Sequence, residues 1–469
     1  MKRFTPLFIL VLTLAMIAAA CSDSESEDTT AATAAPDTAA PDTAAPDTAA
    51  PDTAAPETSA PDAEPIVIGT SLPLTGEFSV PAIKHKDGYE LCVNLINERG
   101  GVLGRPLELL IEDNRSDSEV GVSQYERFIN AGAAEVLFGT FSSLLTFPTS
   151  VVAEQNGWVY PVPSGGAQRI WERGFENLFY FQQGPAEGIG SSPVNAAAYY
   201  TEQGVIAADD APTKAAVVAA DDFFAVAISN GLLGGDVAIP GTDTLISLAP
   251  GFLADAGIEV VLEDEWPVGE FNDWINLANS IKSSGADVVF ASTASVEETI
   301  SLVDAFQTVD YNPKMLYMSQ GAQSEFEETL GSAADGVIIH TAWHQLANFP
   351  AELGGEAYSN EQFIADFSAV HGRAPDEDEA IPFAVCQGME QAIRGAGTTD
   401  QDAMRQWLRD RTPADPVKTV MGDFSWDERG LPFDRNYLLT QWQGGVLEFI
   451  FPVGEFPGTK DIIYPKPEW

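Results

Sequence analysis

Short apolar runs alternate with helical periodicity from residue 65 onward. Residues 66–69, Ile-Val-Ile-Gly, are a continuous apolar run of the kind that buries a strand on both faces. A polar loop over 71–78 leads to a helical pattern through Tyr89, Leu91, Cys92, Leu95 and Ile96, which Arg99-Gly100-Gly101 stops. Residues 107–111 read as the second strand, and a helix through Val120, Tyr125, Phe128 and Ile129 follows. The stretch 135–166 then reads strand, loop, helix, strand, loop. Residues 136–138 end at Gly139, Leu144, Phe147, Val151 and Val152 run helically to Asn156-Gly157, and residues 158–160 lead to Pro163-Ser164-Gly165-Gly166. Strict alternation of strand and helix predicts a parallel, doubly wound α/β sheet.

After residues 179–183 and a glycine-rich passage (Gly184, Gly188, Gly190), a second set of units begins. Its strands are predicted at 215–219, 258–262, 287–290, 315–317 and 336–340. Helical patterns such as Phe271, Trp274, Ile275, Leu277, Ala278 and Ile281 lie between them. The segment 222–257 is longer than such a unit needs, and Gly234-Gly235 and Pro240-Gly241 predict an inserted loop or a broken helix there.

The chain ahead of residue 65 has a different pattern. Lys2-Arg3 precedes an apolar stretch over 7–17 that is too short to span a bilayer comfortably, closed by Ala18-Ala19-Ala20-Cys21. Small residues before a cysteine at that place resemble the lipobox of bacterial lipoproteins, so residues 1–21 read as a lipoprotein signal peptide. The resemblance implies cleavage before Cys21 and lipid on its sulfur and amine. Residues 22–64 repeat Ala-Ala-Pro-Asp-Thr and carry no large apolar side chain. Such a segment cannot form a core, and its prolines and acids favour an extended, self-repelling tether.

Charge narrows the partners. The 469 residues carry a net charge of -47, with 70 acids against 23 bases. Such an excess of acid argues against nucleic acid or anionic lipid headgroups as partners. Besides Cys21, the cysteines are Cys92 and Cys386, which either pair in an oxidising compartment or pack as buried thiols.

Catalytic chemistry finds no foothold. The four histidines, His85, His340, His344 and His371, show no metal-ligand spacing such as His-Glu-x-x-His. Neither a Gly-x-Ser-x-Gly elbow nor a Gly-x-x-x-x-Gly-Lys phosphate loop occurs. No metal, cofactor or enzymatic activity is therefore expected. His340 reads as a strand end at a hinge, and the run Asp376-Glu377-Asp378-Glu379 as a solvated loop. The binding candidates are two loops expected on one sheet edge, where ligands of open α/β sheets sit. One carries Ser142 and Ser143, the other Ser164, Gly165 and Gly166.

In register, IVIGTSLPLTGEF, INERGGVLGRPLELLIEDNRSDS, VLFGTFSS, YPVPSGG and a late MGDFSWDERG resemble the leucine/isoleucine/valine-binding protein family of ABC importers. The resemblance implies a type 1 periplasmic-binding-protein fold, with two doubly wound parallel-sheet lobes joined by three crossover segments. Lobe one would be 65–182 plus 343–424 and lobe two 186–340 plus 436–455, with a tail at 456–469. Cys92 and Cys386 then fall in one lobe. The two loops would hold a ligand carboxylate through hydroxyls and backbone N–H groups. Gly166 stands where the family often has threonine. Gln320 is nearest the family's ammonium-binding glutamate but is neutral, and Thr293-Ala294-Ser295 replaces a family tyrosine. An amino acid, an amide, a urea-like compound, a carboxylate or an aromatic acid all stay open as ligand. Phe78, Trp343 and Phe383 would supply an apolar wall. The implied role is a monomeric, extracytoplasmic binding protein, lipid-anchored at Cys21 to the bacterial membrane, that delivers a small solute to an ABC permease. The alternative is the same fold signalling to a membrane receptor.

Overall fold

The computed structural model describes residues 63–269, 271–433 and 435–469. The expected signal peptide, Cys21 and the tether up to residue 62 lie outside the described residues. Among the described residues no helix is long and apolar enough to cross a membrane.

The first half of the body runs β1 (Ile66–Leu72), α1 (Ser79–Glu98), β2 (Leu107–Asp113), α2 (Ser118–Asn130), β3 (Val136–Leu137), α3 (Ser143–Gln155), β4 (Tyr160–Val162) and β5 (Leu178–Tyr180). Strands β2, β1 and β3 form one parallel sheet in that order. Strands β4 and β5 pair in parallel beside it. The expectation that β3 and β4 share a sheet needs correcting. Among the described residues their one backbone–backbone link is Gly139 N–H donating to Pro161 O at 3.0 Å, just past the end of β3. Gly139 permits that approach, because a Cβ there would lie 2.5 Å from the same carbonyl oxygen.

The chain then crosses over to α4 (Ser191–Glu202), β6 (Lys214–Ala220), α5 (Phe223–Leu233), β7 (Asp236–Ala238), β8 (Leu245–Ser247), α6 (Phe252–Asp255), β9 (Glu259–Trp266), α7 (Trp274–Ser284), β10 (Val288–Ser292), α8 (Val296–Thr308), β11 (Met315–Met318), α9 (Ser324–Leu330) and β12 (Val337–Thr341). The long segment after residue 222 resolves into α5, the small β7–β8 hairpin and the short α6. A second crossover leads to β13 (Pro350–Leu353), β14 (Glu356–Ser359), α10 (Asn360–His371), α11 (Glu377–Ala396), α12 (Gln401–Arg409), β15 (Val417–Thr419) and β16 (Gly422–Phe424), all in the first lobe's layers. A third returns the chain to β17 (Leu438–Gln443) and β18 (Val446–Phe451).

The second sheet has the order β18-β17-β12-β11-β10-β6-β9. Its five inner-to-edge strands from β12 to β9 are parallel, as expected for runs such as Val288–Ser292 that are buried throughout. The expectation of a wholly parallel sheet fails at the other edge, where β17 runs antiparallel to β12 and β18 antiparallel to β17. Gly444-Gly445 makes the tight turn between them, both at positive φ.

The first lobe is held together by one long helix pair. Helix α1 crosses α11 so closely that a Cβ on Gly88 would overlap the Glu379 carbonyl oxygen and lie 2.7 Å from Pro382 Cγ. One turn further along both helices, Cys92 and Cys386 form a disulfide, with Cα atoms 6.3 Å apart. Both sulfurs are buried in the core of this lobe.

Candidate functional site

The carboxyl ends of the two sheets face each other across a narrow cleft with a cavity of about 60 Å³. The first lobe presents the β3–α3 and β4–β5 loops together with the start of α11, and the second presents the residues that end β6, β10, β11 and β12. Seven of the expected residues come together there: Phe78, Ser142, Ser143, Ser164, Gly165, Gly166 and Gln320. The other two do not line it. Trp343 is buried in the first lobe and donates its indole N–H to Asn360 Oδ1 at 3.0 Å. Phe383 is fully buried against Phe363 and Tyr358. An aromatic residue in a pattern does not reveal whether it faces core or cleft.

On the first lobe the site is made of hydrogen-bond donors. Ser142 caps α3, and its Oγ accepts from Leu145 N–H at 3.2 Å. It is held at φ 76, a strained conformation for a residue with a Cβ. Ser143 Oγ accepts from Ala167 N–H at 3.2 Å, which ties the two loops together. Neither hydroxyl proton has an acceptor among the described residues, so both are free to donate. The backbone N–H groups of Gly165 and Gly166 are unbonded among the described residues as well. Gly166 is required by space, since a Cβ there would lie 2.9 Å from Tyr180 Oη. Ser164 plays a different part. His85 Nδ1 lies 3.0 Å from Pro81 O, which can only accept, so that nitrogen carries the proton. His85 Nε2, 3.2 Å from Ser164 Oγ, then accepts the serine proton. Ser164 therefore offers a ligand lone pairs and a backbone N–H, not a hydroxyl donor. Four free donors at the head of a helix suit a carboxylate.

The rest of the lining is acidic, from the start of α11 and from Asp222 of the second lobe, which the charge-run reading missed. Asp376–Glu379 is no solvated loop. Asp376 caps α11, and Glu379 closes a capping box by accepting from Asp376 N–H at 2.7 Å. Glu377 and Asp378 line the cleft. Glu377 accepts from Thr341 Oγ1 at 3.1 Å and from Ala342 N–H. Asp378 accepts from Gln323 Nε2 of the second lobe at 2.9 Å. Burial raises the pKa of both, and the neighbouring carboxylates add to it. Asp222, the cap of α5, lines the cleft from the second lobe, with its pKa also raised by burial. His340 lies near the end of β12, as expected, and lines the cleft. Lys84 spans the lobes, 2.8 Å from Asp376 and 3.1 Å from Glu325.

These buried acids fix a pH dependence. Burial pushes Glu77 up to about 7, with Glu298 and Asp222 adding to the rise, and burial, with Glu172 adding to it, pushes Glu187 up to about 7. Such groups hold protons in the folded state that the unfolded chain has lost, so their stabilisation disappears as pH climbs through the folded pKa. Buried His85 and His340, pushed down to about 4, work in the opposite sense, but only below the unfolded histidine value near 6.5. The melting temperature of the unliganded protein should therefore fall between about pH 6.5 and 8. Scanning calorimetry checks this, and a rising melting temperature in that window contradicts it.

Residues 65–446 match the family model described as "Periplasmic binding protein". Among curated proteins, the chain is 24% identical over 385 residues to Leu/Ile/Val-binding protein homolog 1 of Brucella melitensis, covering 81% of this chain and 91% of that one. It is 23% identical over 394 residues to homolog 7 of Brucella suis, covering 82% and 91%. Among solved structures it resembles the leucine binding protein LivK of Thermotoga maritima, with a TM-score of 0.66 and 17% identity over 82% of this chain and 97% of that chain. It also resembles LivJ of Streptococcus pneumoniae in complex with isoleucine, with a TM-score of 0.66 and 16% identity over 83% and 100%.

Proposed function

The chain belongs to the Leu/Ile/Val-binding periplasmic binding protein family, and from that premise we propose that it is the lipid-anchored solute receptor of an ABC importer. The family binds solutes outside the cytoplasm and does not transform them. In this reading Cys21 carries the lipid and residues 22–64 hold the two lobes off the membrane as a monomer. The lobes close over an amino acid or related carboxylate by bending at their three crossovers, and the closed form delivers it to a permease.

The observation that carries the reading is the set of unused donors on Ser142, Ser143, Gly165 and Gly166 at the mouth of one cleft. Donors so arranged suit the replacement of a carboxylate's water shell. A thermal-shift screen of amino acids, amides, ureas and aromatic acids tests this, because a true ligand stabilises in proportion to its concentration over its Kd. Ser143→Ala removes one donor and the brace to Ala167. It should weaken binding of the best ligand by about 1–2 kcal/mol, measured by calorimetric titration. Unchanged affinity would remove Ser143 from the site.

A further inference from the structure

The cleft holds polar groups that a carboxylate cannot satisfy. Asp222 is 5% exposed, and its Oδ1 accepts from the N–H groups of Phe224 at 2.8 Å and Ala225 at 3.2 Å. Its Oδ2 is buried with no partner, although the residue lines the cleft. A buried carboxylate oxygen left bare is costly, and only an N–H or O–H donor repairs it. His340 Nδ1, also buried without a partner, lines the same cleft. Burial pushes the pKa of this ring down to about 4, so it is neutral at pH 7.

Charge points the same way. Asp222, Glu377 and Asp378 all line the cleft, and among the described lining residues there is no lysine or arginine. Lys84 is occupied by Asp376 and Glu325. An anion closed into this cleft would push the already raised pKa values of these three acids higher, whereas a cation favours their ionised forms. Gln320, at the place where the family's glutamate would stand, is neutral. Phe78, Phe141 and Phe224 supply apolar cover for a methylene stem below a charged nitrogen.

We propose that the solute is a net-cationic amine, a basic amino acid or a short diamine, with a protonated N–H donating to Asp222 Oδ2 beside the carboxyl oxygens of Glu377 and Asp378. This rests on the reading of the chain as a solute-binding protein, and it names the class of solute. Asp222 takes the place of Gln320 as the group that selects a nitrogen. A quaternary ammonium is excluded because it has no N–H to give.

The test is calorimetric titration of the full chain in detergent with lysine, putrescine, leucine, glutamate and glycine betaine. Lysine or putrescine should bind at least tenfold more tightly than the other three. Asp222→Asn keeps a capping oxygen for α5, so it should fold with its melting temperature within a few degrees of the parent. It should weaken the preferred amine by at least tenfold. Tighter binding of leucine, glutamate or betaine, or an unchanged affinity in folded Asp222→Asn, overturns this inference and leaves the importer reading standing. Binding of none of the five, nor of any compound in the thermal-shift screen, overturns both.

Discussion

Joint replacement of Cys92 and Cys386 by alanine should lower the unfolding free energy by about 3–5 kcal/mol. The bond joins residues 294 apart in sequence, so it closes one of the longest loops the chain allows. In the chain-entropy account, the cross-link acts on the unfolded ensemble, and its effect grows with the logarithm of the loop. Both sulfurs are buried, and the small side chains that replace them add a minor cavity term. Urea unfolding of the oxidised protein and of the double variant reads the difference as a shift in midpoint. A loss under about 1 kcal/mol would show that helix packing alone fixes the seam.

Gly88→Ala should be destabilising by about 2–4 kcal/mol, against the usual trend. Alanine in the middle of a helix ordinarily stabilises relative to glycine by about 0.5–1 kcal/mol. Here the added methyl would overlap the Glu379 carbonyl oxygen and press on Pro382 Cγ at 2.7 Å. Neither neighbour is the loose end of a side chain, so α1 and α11 must move apart. The overlap term exceeds the propensity term, and the sign of the change follows from that comparison. The displaced stretch begins at Glu377 and Asp378, so ligand affinity should fall together with stability. A melting temperature at or above that of the parent would refute the close crossing. The same experiment on Gly100, where nothing lies within 4 Å but φ is +95, tests backbone strain without overlap.

The architecture was legible because parallel strands covered on both faces write themselves as unbroken apolar runs. Residues 66–69 and 287–290 lie within or against observed strands for that reason. The donor side of the cleft was legible too, since its serines and glycines directly follow such runs. The acidic side was not. Asp222 looked like the start of an overlong segment, and residues 376–379 like a charge run that water would cover. Their burial depends on how α11 lies against α1, which no local pattern states. Two signals were nonetheless present: Asp376-x-x-Glu379 is the spacing of a capping box, and Gly444-Gly445 between apolar runs marks the β17–β18 hairpin.

The first lobe is assembled from two stretches of chain, 66–180 and 350–424, with the whole β6–β12 sheet threaded between them. The lobe that emerges first during synthesis is therefore completed only after β6–β12 have been made. Helix α1 must wait, with its apolar face and the Cys92 thiol uncovered, until α11 arrives some 294 residues later. The disulfide can therefore close only once α11 has been made, so the seam of the first lobe is a late cross-link between distant parts of the chain.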